Sequence, residues 1–235
     1  MPPPEPEPDP HPLERIIGLA AFAAGAVDII SFVKLGGVFA SAMTGNLAFL
    51  GLYIARLSFY SAIGSALALL CFIVGTACGH ILTRGAARDS ALRVLLATET
   101  ALLAAAALLW LPTHHANGSV SADILISLLS ASMGFQSIVG KKINLSNIPT
   151  VVFTSTLTNL VIGLVETAAA RKARLAADTR RQMKSLAQYF AGALCAGVLV
   201  FLNLQIVVFL PVLSVAAALV IQFTAPPTAP AADGQ

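Results

Sequence analysis

Two long stretches of this chain carry no charged side chain: residues 57–83 and residues 185–223. A hydrocarbon core about 30 Å thick is crossed by a helix of about 20 apolar residues. The first stretch is long enough for one crossing and the second for two. A soluble domain could hide such segments only behind ample polar chain. Here 57% of 235 residues are hydrophobic and 11% are charged, against about 25% charged in soluble domains. Composition therefore excludes a soluble enzyme, a disordered protein and, with a scattered formal charge of +3, a nucleic-acid binder. The chain reads as an all-α polytopic membrane protein.

Six stretches qualify as spans: Ile16–Val33, Leu57–Leu82, Val94–Leu111, Ala122–Gly140, Ser185–Asn203 and Ile206–Phe223. A tight turn near Asn203-Leu204-Gln205 must separate the last two, and Pro211 falls inside the final helix. Val38–Ala55 and Ile148–Val165 are also apolar, but each has a polar centre: Ser41 to Asn46 in one, Thr154 to Asn159 in the other.

Charge distinguishes eight crossings from six. Basic residues near helix ends favour the cytoplasm. Arg84, Arg88 and Arg93 form one basic loop; Arg171, Lys172, Arg174, Arg180, Arg181 and Lys184 form another. If every apolar stretch crosses, these loops fall on opposite sides. If Ile148–Val165 enters and leaves by one face, both lie inside. Treating Val38–Ala55 likewise gives two halves of three crossings, hence an inverted pair with both termini cytoplasmic. Lys34 and Arg56 then lie outside, and Trp110 sits at the outer interface. The expected organisation is a disordered proline-rich tail over 1–14, a first membrane repeat over 15–118, a second over 119–223, and a disordered tail over 224–235.

The halves also match in order. Gly25-Ala26-Val27-Asp28 lies nineteen residues before Thr44, and Gly134-Phe135-Gln136-Ser137 lies twenty before Thr154. The next helices carry Gly75 and Gly79, or Gly192 and Gly197.

At these residues the chain resembles the YoaK family of bacterial inner-membrane proteins. The resemblance rests on Gly25-Ala26-Val27-Asp28, Gly36-Gly37-Val38-Phe39 and Met43-Thr44-Gly45-Asn46. In the second half it rests on Gly134-Phe135-Gln136 and Thr154 to Leu160, covering about residues 14–222 in all. Ser155 stands where the family more often has glycine. The resemblance implies a fold of six helices and an inner-membrane location, and no activity.

A carboxyl group twelve residues into the first span, Asp28, costs roughly 3 kcal/mol to insert. It must face the bundle interior, be neutralised or find a partner. It reads either as a coupling-ion or proton site, or as a lock on the Thr44–Asn46 cluster. Thr44, Gly45 and Asn46, with Thr154, Ser155, Thr156, Thr158 and Asn159, supply hydroxyls, amides and unwound backbone. Such backbone survives at membrane depth only when buried in protein or facing a wet cavity. Paired broken segments in inverted halves are where transporters place their sites. Asn46 and Asn159 are expected to face each other across the pseudo-twofold axis. Gln136 stands near the position matching Asp28. Glu99, six residues from Arg93, is expected to reach the cytoplasmic interface. The three cysteines, in apolar runs without a CxxC, read as packing residues.

No HExxH, GxSxG or phosphate-binding GxxxxGK[ST] motif occurs, so no enzyme activity, cofactor or metal is expected. The expected partners are the lipid bilayer, an unidentified small solute or ion and, as an arrangement open to such a chain, further copies of itself. A small-solute transporter or channel fits best. The alternatives are a non-catalytic scaffold or regulatory protein, working through its tail and basic loop, and an intramembrane enzyme acting on lipid.

Overall fold

The computed structural model describes residues 12–112, 118–143, 153–170 and 175–225, with Tyr60, Phe153 and Thr154 described by backbone alone. The described chain forms eight α-helices: α1 (Pro12–Lys34), α2 (Met43–Ala55), α3 (Phe59–Leu82), α4 (Arg88–Trp110), α5 (Val120–Ile143), α6 (Phe153–Ala169), α7 (Ala177–Phe201) and α8 (Phe209–Thr224). A 3₁₀ turn, Gln205–Val208, leads into α8. Six helical segments are long and apolar enough to cross a membrane, from α1, α3, α4, α5, α7 and the 3₁₀ turn with α8. This is a multi-pass membrane protein. The 13 residues of α2 rise only about 20 Å, short of a full crossing.

Helix ends differ from the sequence expectation in an informative way. The described part of α1 starts at Pro12, a residue suited to a first turn because it has no N–H to satisfy. The basic loops are shorter than expected. Arg88 and Arg93 lie on α4, and Arg180, Arg181 and Lys184 on the first turns of α7. In both helices an aspartate, Asp89 or Asp178, occupies the first turn, where the helix dipole favours it.

Three helices close on a residue with positive φ, and in each the next N–H folds back onto the last turn. At α1 the cap residue is Gly36 (φ 89°), at α2 Leu57 (φ 55°), and at α7 Asn203 (φ 56°). The α7 cap bonds Asn203 N to Val200 O (3.0 Å) and Leu204 N to Leu199 O (2.9 Å). It forms the tight turn that the charge-free 185–223 stretch requires.

Packing pairs the helices across the chain. α1 lies on α7 and α8, α5 on α3 and α4, α4 on α8, α2 on α3, and α6 on α7. The α1–α7 and α3–α5 crossings share one device. A Cβ on Gly25 would collide with the Tyr189 carbonyl, and one on Gly192 with the Phe22 carbonyl. A Cβ on Gly75 would collide with the Ala131 carbonyl, and one on Gly134 with the Phe72 carbonyl. In each crossing every glycine meets the carbonyl three residues before its partner glycine. Such approach lets Cα–H groups contact carbonyl oxygens and is how small residues join helices in lipid.

Polar contacts define the two ends of the bundle. At one end, Arg181 of α7 meets Glu14 of α1 at 2.6 Å, Lys142 of α5 donates to Thr83 O after α3 at 2.9 Å, and Gln222 of α8 approaches Asp89 of α4 at 3.5 Å. At the other, Lys34 Nζ donates to Asn203 Oδ1 at 3.0 Å and Trp110 Nε1 to Gln205 Oε1 at 2.7 Å. Leu35 and Val38 there share a cavity with Ser61 of α3 and Asp123 of α5. So α1 finishes at the end where α3 begins, and α5 finishes at the end where α7 begins.

Candidate functional site

Between α1 and α2 the chain runs non-helical from Leu35 to Ala42, yet Leu35, Val38, Ala40 and Ser41 are buried. Backbone without a helix needs other hydrogen-bond partners in such a place. Two side chains supply them. Asn46, on the first turn of α2 and fully buried, accepts from Phe39 N (2.9 Å) and donates Nδ2 to Phe39 O (2.5 Å). Its amide thus copies the pairing of a neighbouring strand. Gly45, just before it, leaves room for the Phe39 ring, whose Cδ2 would lie 3.1 Å from a Cβ there. That ring stacks on Phe32 with centroids 4.7 Å apart.

Asp28 holds the same stretch from the α1 side. It is 1% exposed. Oδ1 accepts from Ser41 N at 2.7 Å, and Oδ2 from Ser41 Oγ at 2.6 Å and Tyr189 Oη at 2.8 Å. A carboxylate offers about four acceptor directions, and three are taken. The Asp28 partner expected from sequence, the Thr44–Asn46 cluster, is replaced by Ser41 and by Tyr189 of α7. Tyr189 reaches Asp28 because the glycine crossing draws α7 onto α1.

The other predicted residues are placed as follows. Thr44 is exposed on α2. Gln136 is fully buried and donates Nε2 to Ala20 O of α1 at 2.8 Å, two turns and about 12 Å along the helix from Asp28. Ser137, the closer match to Asp28, donates to Gly134 O at 2.7 Å and lies 3.3 Å from Thr76 Oγ1 of α3. On α6, Thr156 is buried, Asn159 half-buried, and Ser155 and Thr158 exposed. The Thr154 side chain and residues 148–152 of the second polar segment lie outside the described residues. Because α2 lies on α3 and α6 on α7, Asn46 and Asn159 belong to separate helix pairs and do not form the facing pair expected. The structure therefore joins Asp28 and Asn46 through the 39–41 stretch, and leaves the α6 group apart.

Glu99 overturns its expected place. It is fully buried, and neither carboxylate oxygen has a hydrogen-bond partner. Once α4 is seen to begin at Arg88 rather than Val94, Glu99 lies eleven residues from each end, at the helix centre. The sequence signal for that longer helix is Asp89, an acidic residue suited to a first turn. No group of three or more His, Cys, Asp or Glu able to hold a metal ion occurs among the described residues. Beyond Asp28, towards the end of α1, a cavity of about 160 Å³ lies among Leu35, Gly36, Val38, Ser61, Gly64 and Asp123.

A relative, the UPF0700 transmembrane protein YoaK of Bacillus subtilis (strain 168), is 34% identical over 149 residues, 62% of this chain and 64% of the relative. The chain thus spans less than two thirds of that relative's length. No solved structure matches. A family model described as a protein of unknown function, DUF1275, matches residues 16–221, a range that reaches into all six candidate crossings; the chain belongs to this family.

Proposed function

We propose that the protein moves a small solute or ion across the bacterial inner membrane, as two inverted repeats of three crossings, each with a re-entrant polar segment. The carrying observation is the exchange of packing partners. Replacing α1, α2, α3 and α4 by α5, α6, α7 and α8, and the reverse, turns the α1–α7 contact into α5–α3, α1–α8 into α5–α4, and α2–α3 into α6–α7. The twin glycine crossings obey the same exchange. Such internal symmetry, together with the buried irregular backbone between α1 and α2, matches the construction of transporters that rock one part against another.

The positive-inside rule supports the orientation. Arg15, Arg84, Arg88, Lys141, Lys142, Arg180, Arg181 and Lys184 gather at the end holding the first turn of α1 and the last of α8, against Lys34 and Arg56 at the other. That end is taken as cytoplasmic, with both termini. In this reading Leu35, Gly36 and Val38, which lead into the 39–41 stretch clamped by Asp28 and Asn46, form a fixed wall of the cavity beside Ser61. Thr44, Gly45, Gln136 and the α6 residues Thr154, Ser155, Thr156, Thr158 and Asn159 remain the polar surfaces that a solute meets as the halves move.

The test joins topology to flux. In a chain whose native cysteines are replaced by alanine, a single cysteine at Arg56 should react with an impermeant thiol reagent on intact cells, and one at Thr167 should not. Labelling of Thr167→Cys from outside would remove the re-entrant second segment. Liposomes holding the full chain are then screened for uptake of inorganic ions and small polar metabolites. Uptake no greater than in empty liposomes across the panel counts against transport.

A further inference from the structure

We propose that Glu99 is a proton-carrying site, loaded from the end of the bundle at which Trp110 sits; the proposal rests on the transport reading and assigns it a coupling ion. Glu99 occupies the centre of α4, about 16 Å from either end. It is fully buried, and both oxygens lack a hydrogen-bond partner. An ionisable side chain at such depth without a partner is a default candidate for ion or proton movement. The alternative of a bound metal cation fails on chemistry. Hard cations take about six or more oxygens, carboxylates among them, and among the described residues Glu99 belongs to no group of three or more His, Cys, Asp or Glu. A proton needs one oxygen.

The charged groups on the elements packed against α4 all lie toward the bundle ends. α5 carries Asp123 near its start and Lys141 and Lys142 in its last turn. The 3₁₀ turn and α8 carry none. On α4 itself Arg88, Asp89 and Arg93 lie in the first two turns. Among the described residues, no counter-ion therefore stands at the level of Glu99 to fix its charge permanently.

The surroundings differ along the two directions of α4. Toward Arg88, Ala91, Leu92, Leu95 and Leu96 are completely buried. Toward Trp110, the residues on the Glu99 face at helical spacing are Leu103, Ala106, Ala107 and Trp110. These line a void of about 10 Å³ with Val208 and Pro211, close to the room one water occupies. Pro211 lies in the first turn of α8, where its missing N–H would have had no partner within the helix. The far end of this void is latched by the Trp110 indole on Gln205, at 2.7 Å. When the latch opens, water reaches Glu99. One proton passes from a hydronium ion to one carboxylate oxygen, leaving water and a neutral acid. The reverse step returns it.

Infrared difference spectroscopy of the full chain in lipid tests this, with the bath switched to D₂O and stepped in pH. A carboxylic C=O band is expected that shifts in D₂O, vanishes on alkalinisation and is missing in Glu99→Gln, which should fold with an unchanged unfolding midpoint. Gln205→Ala, which removes the latch, should speed the deuterium shift about fivefold; Trp110→Phe should do the same. A Glu99 band that neither shifts nor titrates while the protein is folded overturns the proposal, as does exchange indifferent to both latch variants. Solute uptake is scored separately on the same liposomes. Uptake beside a static Glu99 band sinks the proton site and leaves transport standing. A latched, exchanging band without any uptake supports the proton site and counts against transport.

Discussion

Asp28 and Glu99 are both fully enclosed carboxyl groups in membrane helices, and their surroundings are opposite. Asp28 gathers three donors from two elements and stitches a non-helical stretch to α1 and α7. Glu99 gathers none. Burying a carboxyl group is expensive anywhere in such a molecule. Where donors meet it, the group has become part of the framework. Where none do, the framework does not need it, and its retention calls for a chemical reason. The comparison separates architecture from mechanism by the sign of a mutation rather than by its place in the sequence.

The largest effect is expected at the crossing that brings Tyr189 to Asp28. Gly192→Ala drives a methyl group into the Phe22 carbonyl, so α7 must withdraw; a loss of about 3 kcal/mol is expected. Gly197, where an added Cβ meets nothing within 4 Å, is the control, and its alanine variant should keep the wild-type melting temperature in detergent. Asp28→Ala strands the Ser41 N–H and two hydroxyls, and should cost about 2–3 kcal/mol, read as a lower midpoint in denaturant unfolding. Glu99→Leu should move the other way. Removing a buried carboxyl without partners should gain about 1–2 kcal/mol, seen as greater recovery of monodisperse protein after heating. A destabilised Glu99→Leu would break the comparison, because Glu99 would then be part of the framework. Tyr189→Phe removes one of the three donors and should cost about 1 kcal/mol, with Ser41 still held; a double-mutant cycle with Asp28→Ala should recover most of that as coupling.

What the sequence reveals and what it hides divide along physical lines. The six candidate crossings are legible because an apolar run of about 20 residues with at most one charge has few other stable fates in water or lipid. Asp28 is legible as interior because its depth follows from counting along one helix. Its partners are not. Ser41 lies in the polar cluster but is chosen over Thr44 by the path of a non-helical stretch that Asn46 and two positive-φ glycines shape. Tyr189 is hidden more deeply, since only the Gly25–Gly192 crossing places it there. Glu99 is misjudged by locating the start of α4 at the first apolar residue rather than at its charged first turn. The second polar segment shows the limit of local likeness. Its Thr- and Asn-rich composition resembles that of the first, yet Asn159 is only half-buried whereas Asn46 is sealed.

The contact between Asp28 and Tyr189 spans 161 residues, and this separation has a consequence for biogenesis. Synthesis at about 5–20 residues per second puts roughly ten to thirty seconds between the two. During that interval α1 has left the ribosome with its carboxyl group short of the Tyr189 donor and its glycine face uncovered, and its mates α7 and α8 are still unmade. The nascent first half cannot finish folding by itself. α1 stays without its main packing partner until the second half arrives. Truncation after α4 would leave α1 in that unpaired state permanently, a ready target for membrane quality control.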